Sequence, residues 1–107
     1  MISWHVEVTE QAEEDMEEIY QYIANSLQEP GIAWRQTERI RDKIANLSFM
    51  PERNPVIQEE PWKLREVRRV NVDNYAAFYV LDSKSATVAV IRILYAKRDL
   101  NSILMID

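Results

Sequence analysis

Hydrophobic and polar residues alternate at the start of the chain and then change to a helical spacing. Residues 2–8 have the two-residue period of a strand with one buried face, and its hydrophobic members are Ile2, Trp4, Val6 and Val8. Thr9 occupies an N-cap position, and acidic residues fill the next turns, where the helix dipole stabilises negative charge. Apolar residues then recur every three or four positions: Ala12, Met16, Ile19, Tyr20, Ile23 and Leu27. This spacing predicts a first helix to about Leu27.

A second amphipathic segment follows the turn formed by residues 28–31. It begins near Ile32, and its apolar stripe consists of Ala33, Thr37, Ile40, Ile44 and Leu47. Pro51 ends this helix because proline has no amide hydrogen to donate. The two helices are expected to form an antiparallel hairpin. Residues 51–63 contain three prolines and no periodicity, which predicts a surface loop that Val56, Ile57 and Trp62 attach to the core.

The second half of the chain has the pattern of strands. Residues 64–72 show an ambiguous alternation, which a strand with a bulge would explain. Two runs rich in β-branched and aromatic residues, Tyr75 to Leu81 and Ala86 to Tyr95, flank a polar turn at residues 82–85 and predict a hairpin. Asp99 can cap a short last helix through Leu100, Ile103 and Leu104.

This order of elements predicts one α+β domain over residues 1–107. An N-terminal strand, a helix hairpin and a three-stranded antiparallel meander give two layers, with the helices on one face of the sheet. The hairpin strands carry apolar residues on both faces, so both faces are expected to be covered. We expect the opposite face to be a shallow concave surface that needs a partner.

Composition restricts the class of protein. The chain has 47% hydrophobic and 29% charged residues, no apolar run near the roughly 20 residues of a membrane span, and no signal-peptide pattern at its start. We therefore expect a cytoplasmic protein with no membrane contact. The net charge of −5 is unevenly distributed, because residues 1–34 contain eight acidic and no basic side chains. Such a chain is not expected to bind DNA by itself in a sequence-specific way.

Catalytic and cofactor motifs are scarce. His5 is the single histidine and is expected at the surface, and no cysteine is present. The single glycine, Gly31, argues against a nucleotide-binding loop, and no cofactor or metal is expected. The remaining candidates are basic: Arg65, Arg68, Arg69, Arg92, Lys97 and Arg98. Clustered arginines would suit an anionic ligand, and the alternative is that they pair with acids of the same chain such as Glu66 or Asp99.

Several phrases together resemble the RelE/ParE superfamily of bacterial toxins. They are the helix segment Asp15 to Ala24, the run Leu64 to Arg68 before Asn74-Tyr75, the triplet Ala77-Phe78-Tyr79, and the stretch Val90 to Leu100. The resemblance covers nearly the whole chain and implies the toxin of a type II toxin–antitoxin module. It also implies two possible targets, because RelE-like members cleave messenger RNA on the ribosome and ParE-like members poison DNA gyrase.

The resemblance favours the ParE-like activity. In RelE-like enzymes an arginine follows the tyrosine that Tyr75 matches, and here Ala76 follows. The late catalytic tyrosine falls near Leu104, and of two expected lysines one position holds Val67. The positions that keep a basic side chain, and that would be catalytic if the protein is an RNase, are Arg69 and Arg98.

The resemblance also implies a cognate antitoxin whose C-terminal segment folds on the toxin. Its expected contact surface, shared with the target, consists of Arg68, Val88, Val90, Arg92, Leu94, Lys97 and Arg98. Three functions remain open: a gyrase inhibitor that acts by binding, a ribosome-dependent mRNA endonuclease with a relocated site, and a non-toxic family member that binds the antitoxin.

Overall fold

A computed structural model of the chain describes residues 3–97. The elements are β1 (His5–Val8), α1 (Glu10–Gln21), α2 (Pro30–Ala45), β2 (Arg68–Val72), β3 (Tyr75–Asp82) and β4 (Thr87–Tyr95). The strand order is β1-β4-β3-β2. β1 runs parallel to β4, and β2, β3 and β4 form the antiparallel meander. The predicted α+β two-layer fold is confirmed, and the predicted last helix from Asp99 lies outside the described residues.

The first helix is capped as its sequence predicts. The Thr9 side chain accepts a hydrogen bond from the backbone N–H of Ala12 at 3.2 Å. Regular α-helix ends at Gln21, and a π-helical turn, Tyr22–Ser26, continues the chain to the turn before α2. The predicted single helix to about Leu27 is thus a helix followed by a wider turn. π-helical turns often occur at functional sites.

The second helix starts and ends earlier than its apolar stripe suggests. It begins at Pro30, because proline at the first helical position needs no amide partner. It ends at Ala45, and 3₁₀ turns follow at Asn46–Ser48 and Pro51–Arg53. Leu47 remains fully buried in the first of these turns. Within residues 3–97, no helix is both long and apolar enough to cross a membrane.

The main core lies between the helix hairpin and one face of the sheet. It consists of buried residues from both helices and from the last three strands: Ala12, Met16, Ile19, Ile23, Ala33, Ile40, Ile44, Leu47, Val70, Val72, Ala77, Tyr79, Val88, Val90 and Ile93. Tyr79 is fully buried, and its hydroxyl donates to the Pro51 carbonyl at 2.7 Å and accepts from the Asn54 amide at 3.0 Å. The strand face that carries Val88 and Val90 is therefore the helix-covered face.

The opposite face of the sheet is not an open concavity. The segment before β2 folds over it, and a second cluster of buried residues fills the space: Trp62, Val67, Ala76, Phe78 and Leu94. The Trp62 side chain is only 1% exposed. The expectation that Val56, Ile57 and Trp62 attach this loop was correct for Ile57 and Trp62, which pack in or against this cluster, and Val56 bridges to β2. The expectation that a partner must cover this face was wrong.

The irregularity of the sheet lies in β4 and not before β2. Residues 64–66 form a turn, so β2 begins only at Arg68. In the β3–β4 pairing, Phe78 lies opposite Arg92 and Tyr79 lies opposite Val90, which leaves Ile91 as an extra residue. Such a bulge bends its strand and changes the direction of neighbouring side chains.

Candidate functional site

The first turns of α1 are attached to the bulge of β4. The Thr9 backbone N–H donates to the Val90 carbonyl at 3.0 Å, and its hydroxyl donates to the Ile91 carbonyl at 3.3 Å. The pairing of β1 with β4 ends at Val8 and Val90. Beyond that point, α1 and not a strand lies beside β4, so within residues 3–97 no strand pairs with this edge of the last residues of β4.

Asp15 covers the first part of this edge. Its Oδ2 accepts from the Ile93 backbone N–H at 2.9 Å and from Arg92 Nε at 2.8 Å, and its Oδ1 accepts from Arg92 Nη2 at 3.1 Å. The Asp15 and Arg92 side chains are 3% and 13% exposed. Arg92 was expected to face a partner from an open sheet face, and it is instead largely engaged by this paired contact. The predicted pairing of arginines with acids of the chain is thus realised at Arg92, with an acid that the sequence interpretation did not select.

A groove of about 550 Å³ lies between the second half of α1 and the end of β4. We call it the tyrosine groove, and its lining residues are Asp15, Glu18, Ile19, Tyr22, Tyr75, Ile93, Leu94 and Tyr95. Tyr75 and Tyr95 meet edge to face, with ring centroids 5.9 Å apart. Tyr22, from the π-helical turn, is 55% exposed, and Tyr95 is 43% exposed.

Tyr75 lies close enough to Tyr22 and Tyr95 to interact electrostatically with both. Burial raises the pKa of Tyr75 above its ordinary value, and the neighbouring hydroxyls of Tyr22 and Tyr95 raise it further. Tyr75 therefore remains neutral at physiological pH, and the three side chains offer ring faces and hydroxyl groups to the groove. Ligand sites commonly combine such an apolar, aromatic lining with a few polar groups.

Backbone groups of β4 also face this groove. The Ala96 N–H donates to the Asn74 carbonyl, so the alternate groups of Ile93 and Tyr95 point away from β3. Asp15 takes the Ile93 N–H, as described above. In the part of the chain that is described, no group outside the sheet pairing bonds to the Ile93 carbonyl or the Tyr95 N–H.

The other predicted arginines do not form one anion site. β3 lies between β2 and β4, which separates Arg68 and Arg69 from Arg92 by two strand spacings, about 10 Å. Arg68 donates to the carbonyls of Glu52 and Asn54, at 3.0 and 2.6 Å. Arg69 donates to the Asn71 side chain at 2.9 Å and to the Ala96 carbonyl at 3.1 Å. Each arginine is therefore used locally, and Arg98 lies outside the described residues.

The aromatic side chains of the second cluster also hold two cations. The Arg65 guanidinium lies 5.4 Å from the centroid of the Trp62 ring, and that of Arg69 lies 5.6 Å from the Phe78 ring. Such cation–π contacts fix the direction of both side chains. Arg69, the one potential catalytic arginine that the structure describes, thus lies over the covered face of the sheet.

The apolar part of the predicted contact surface is buried. Val88 and Val90 are fully buried beneath the helices, and Leu94 is 4% exposed within the second cluster. The expectation that these side chains are exposed was wrong, because strand residues on either face are covered by the chain itself. Lys97 is exposed, and His5 is exposed as predicted.

The positions that RelE-like catalysis would require are also core positions. Val67 and Ala76 are both fully buried in the second cluster. Leu104 lies outside the described residues. Residues 3–97 contain no cluster of side chains that could hold a metal ion.

Two parts of the groove were missed from the sequence. Asp15 follows Ala12 by three residues and precedes Ile19 by four, which places it on the apolar stripe of α1. An acid at such a position indicates a buried partner, although the acidic residues around it indicate only a solvated first part of the helix. Tyr22 and Tyr95 gave no sequence signal, because only the sheet and the π-helical turn bring them together.

Known structures share this arrangement of helices and strands. The chromosomal ParDE toxin–antitoxin system from P. aeruginosa matches with a TM-score of 0.73 and 17% identity, over 91% of this chain and 100% of that chain. The RelBE2 toxin–antitoxin complex from Mycobacterium tuberculosis matches with a TM-score of 0.63 and 19% identity, over 88% and 99%. The archaeal RelE–RelB complex from Pyrococcus horikoshii matches with a TM-score of 0.59 and 13% identity, over 91% and 99%.

These matches define the class: the chain has the fold of RelE/ParE superfamily toxins. A sequence model of the ParE toxin of the type II toxin–antitoxin system parDE matches residues 6–100. The chain therefore belongs to the ParE toxin family of type II toxin–antitoxin systems, and the resemblance seen in its sequence is confirmed. A search of curated proteins gives no significant match.

Proposed function

We propose that this toxin acts in the cytoplasm by binding DNA gyrase, without cleaving RNA, and that a cognate antitoxin neutralises it. The observation that carries the proposal is the second buried cluster. It fills the sheet face opposite the helices and includes Val67 and Ala76, where the RelE-like resemblance requires a lysine and an arginine.

RNA cleavage needs groups that activate the ribose hydroxyl and protonate the leaving oxygen. Each such acid–base group contributes a factor of about 10² to 10⁴ in rate. At the described positions where the resemblance calls for them, apolar side chains are buried, and Arg69 is held by Asn71 and Ala96. A toxin without these groups would act through a binding surface.

An antitoxin partner is supported by the family and by the relatives. Of the structural relatives described above, one is named as a toxin–antitoxin complex and another as a RelE–RelB complex. We expect the gene beside this one to encode a protein with a DNA-binding N-terminus and a C-terminal segment that orders on the toxin. Coupled folding of this kind gives a large negative heat-capacity change on binding.

The test assays both targets in parallel with purified protein. With gyrase, supercoiled plasmid and ATP, the toxin should trap cleaved DNA that appears as linear plasmid after detergent and protease treatment. Programmed ribosomes treated with the same protein should keep their messenger RNA intact. Toxin premixed with the neighbouring gene's product is the control, and it should leave the plasmid uncut.

Two results would contradict the proposal. Codon-phased cuts in ribosome-bound messenger RNA that disappear in Arg69→Ala or Arg98→Ala would establish the endonuclease alternative. Absence of both activities, together with tight binding of the antitoxin, would indicate a non-toxic family member.

A further inference from the structure

We propose that the tyrosine groove receives an extended segment of the cognate antitoxin, with one arginine or lysine side chain placed among Tyr22, Tyr75 and Tyr95 and paired with Glu18. The inference rests on the proposed antitoxin and identifies the chemistry of one contact. Three independent features of the described residues support it: backbone groups, aromatic rings and charge.

The backbone groups favour an extended ligand. The Ile93 carbonyl and the Tyr95 N–H point away from β3, two residues apart on one edge of β4. A peptide that adds to a sheet edge pairs with such alternate groups. Among the described residues, β1 stops at Val8 and no strand pairs with β4 beyond the Asp15–Ile93 hydrogen bond, which leaves a place for a ligand beside the end of β4.

The aromatic rings favour a cation. Tyr22 and Tyr95 are large, half-exposed side chains on two different elements, and Tyr75 lies between them in sequence and beside Tyr95 in space. Ring faces attract ammonium and guanidinium groups, and several rings around one site strengthen this preference. The groove of about 550 Å³ has room for several residues of a peptide.

The charges of the residues that line the groove also favour a positively charged ligand. Asp15 is balanced by Arg92, with Nε–Oδ2 at 2.8 Å. Glu18, which is exposed, makes no ion pair within the described part of the chain and leaves a negative lining. An exposed Arg92, as expected from the sequence, would favour an acidic segment of the antitoxin. Because Asp15 already pairs with Arg92, the groove instead favours a basic residue.

The two other grooves specify a ligand less well. One lies between α1 and α2 and includes the exposed Trp34, but no feature of it specifies what would cover it. Another is bordered by Arg39 and Asp73, which already pair with each other at 2.8 Å. The tyrosine groove alone among these three combines free backbone groups, exposed rings and an unpaired acid.

The first experiment is an NMR titration of the full chain with a synthetic probe. The probe is a capped pentapeptide, threonine-valine-arginine-valine-threonine, and its control contains citrulline, the neutral isostere of arginine. The arginine peptide should shift the Tyr95 amide and the ring signals of Tyr22, Tyr75 and Tyr95 to saturation. The citrulline peptide should bind about tenfold more weakly, since loss of a charged partner has roughly that effect.

Variants locate the charge contact. Glu18→Gln should weaken the arginine peptide about five- to tenfold and leave the citrulline peptide unchanged. Glu14→Gln, an exposed acid of the same helix that does not line the groove, is the matched control and should change neither. Equal binding of both peptides, or equal effects of the two variants, would overturn the proposal. So would absence of binding together with shifts of residues 98–107 in Glu18→Gln, because the chain's own end would then occupy the groove.

The second experiment uses the neighbouring gene's product itself. Calorimetry should show weaker binding to Glu18→Gln and Tyr22→Leu than to Glu14→Gln and the unchanged toxin. If the antitoxin binds all four equally, the groove is not its contact site and the proposed function stands. If it binds none of them, the proposed antitoxin partnership fails as well.

Discussion

At the scale of single residues, Asp15 is the side chain on which the end of the sheet depends. It is 3% exposed and accepts hydrogen bonds from the Arg92 guanidinium and the Ile93 backbone N–H. A carboxylate is costly to bury unless it is paired and hydrogen bonded, and here both conditions hold. The same contact determines the sign of charge left in the tyrosine groove, because it neutralises Arg92.

Replacing Asp15 with Asn should therefore destabilise the protein strongly. Asparagine can still accept the Ile93 N–H bond, but the Arg92 guanidinium, 13% exposed, would lose the paired contact with the Asp15 carboxylate. Breaking a buried ion pair in this way costs about 3–5 kcal/mol. For a domain of this size the melting temperature should fall by at least about 10 °C, which thermal unfolding can measure.

Asp73→Asn is the matched control for this prediction. Asp73 also pairs with an arginine, Arg39, at 2.8 Å, and the Arg39 guanidinium and the Gln36 amide lower the pKa of Asp73. That pair is much more exposed, and asparagine tolerates the positive φ of 56° at this position. The Asp73→Asn variant should therefore lose far less stability than the Asp15→Asn variant. Equal losses in the two variants would show that the Asp15–Arg92 contact has no special weight.

At the scale of elements, the loop before β2 acts as a third layer. Trp62 and Val67 pack on Ala76, Phe78 and Leu94, so a segment without helix or strand covers the part of the sheet face that carries these three residues. The hydroxyl of Tyr79 fixes the start of this segment at the Pro51 carbonyl. The loop thereby decides that this face is a core and not a binding surface.

Trp62→Ala should show how much this layer contributes to the stability of the protein. Removing a large aromatic side chain from a buried position costs about 3–5 kcal/mol, and Trp62 is 1% exposed. Trp34→Ala, at a position on α2 that is 60% exposed, is the control and should change stability by no more than about 0.5 kcal/mol. Urea unfolding can measure both. A small loss for Trp62→Ala would mean that the loop is not a structural layer.

At the scale of the whole molecule, charge is separated between the two halves of the chain. Residues 1–34 contain eight acidic and no Lys or Arg side chains, and those of α1 are exposed except for Asp15. The arginines of β2 are engaged by carbonyls and amides of neighbouring segments. The exposed acidic side chains of α1 would therefore repel a phosphate backbone, and the arginines of β2 are not free to bind one.

We expect the toxin alone to bind nucleic acid very weakly. Proteins that grip phosphates bind DNA non-specifically with dissociation constants of about 10⁻⁴ to 10⁻⁶ M at physiological salt. Fluorescence anisotropy with a labelled duplex and a labelled single strand, at about 150 mM salt, should show no saturation at micromolar protein. Saturable binding that weakens steeply as salt rises would contradict this prediction.

The sequence by itself determined the order of elements, the two helices, the hairpin and the family. Each depends on a local signal: the period of apolar residues, the Thr9 cap, the polar turn at residues 82–85, and phrases such as the one from Asp15 to Ala24. These signals predict which side chains are buried, and they do not predict which other residues pack against them. His5, for example, could be assigned to the surface from its place opposite Trp4 and Val6.

Only the tertiary structure decided which surfaces remain open. Val88, Val90 and Leu94 look alike in sequence, yet the helices cover the first two and the loop with Trp62 covers the third. Among the described residues, the bulge at Ile91 and the end of β1 at Val8 leave a short edge of β4 without a neighbouring strand, and Asp15 meets Arg92 beside it. These contacts join residues about 80 positions apart in the sequence, and no local pattern encodes such long-range packing.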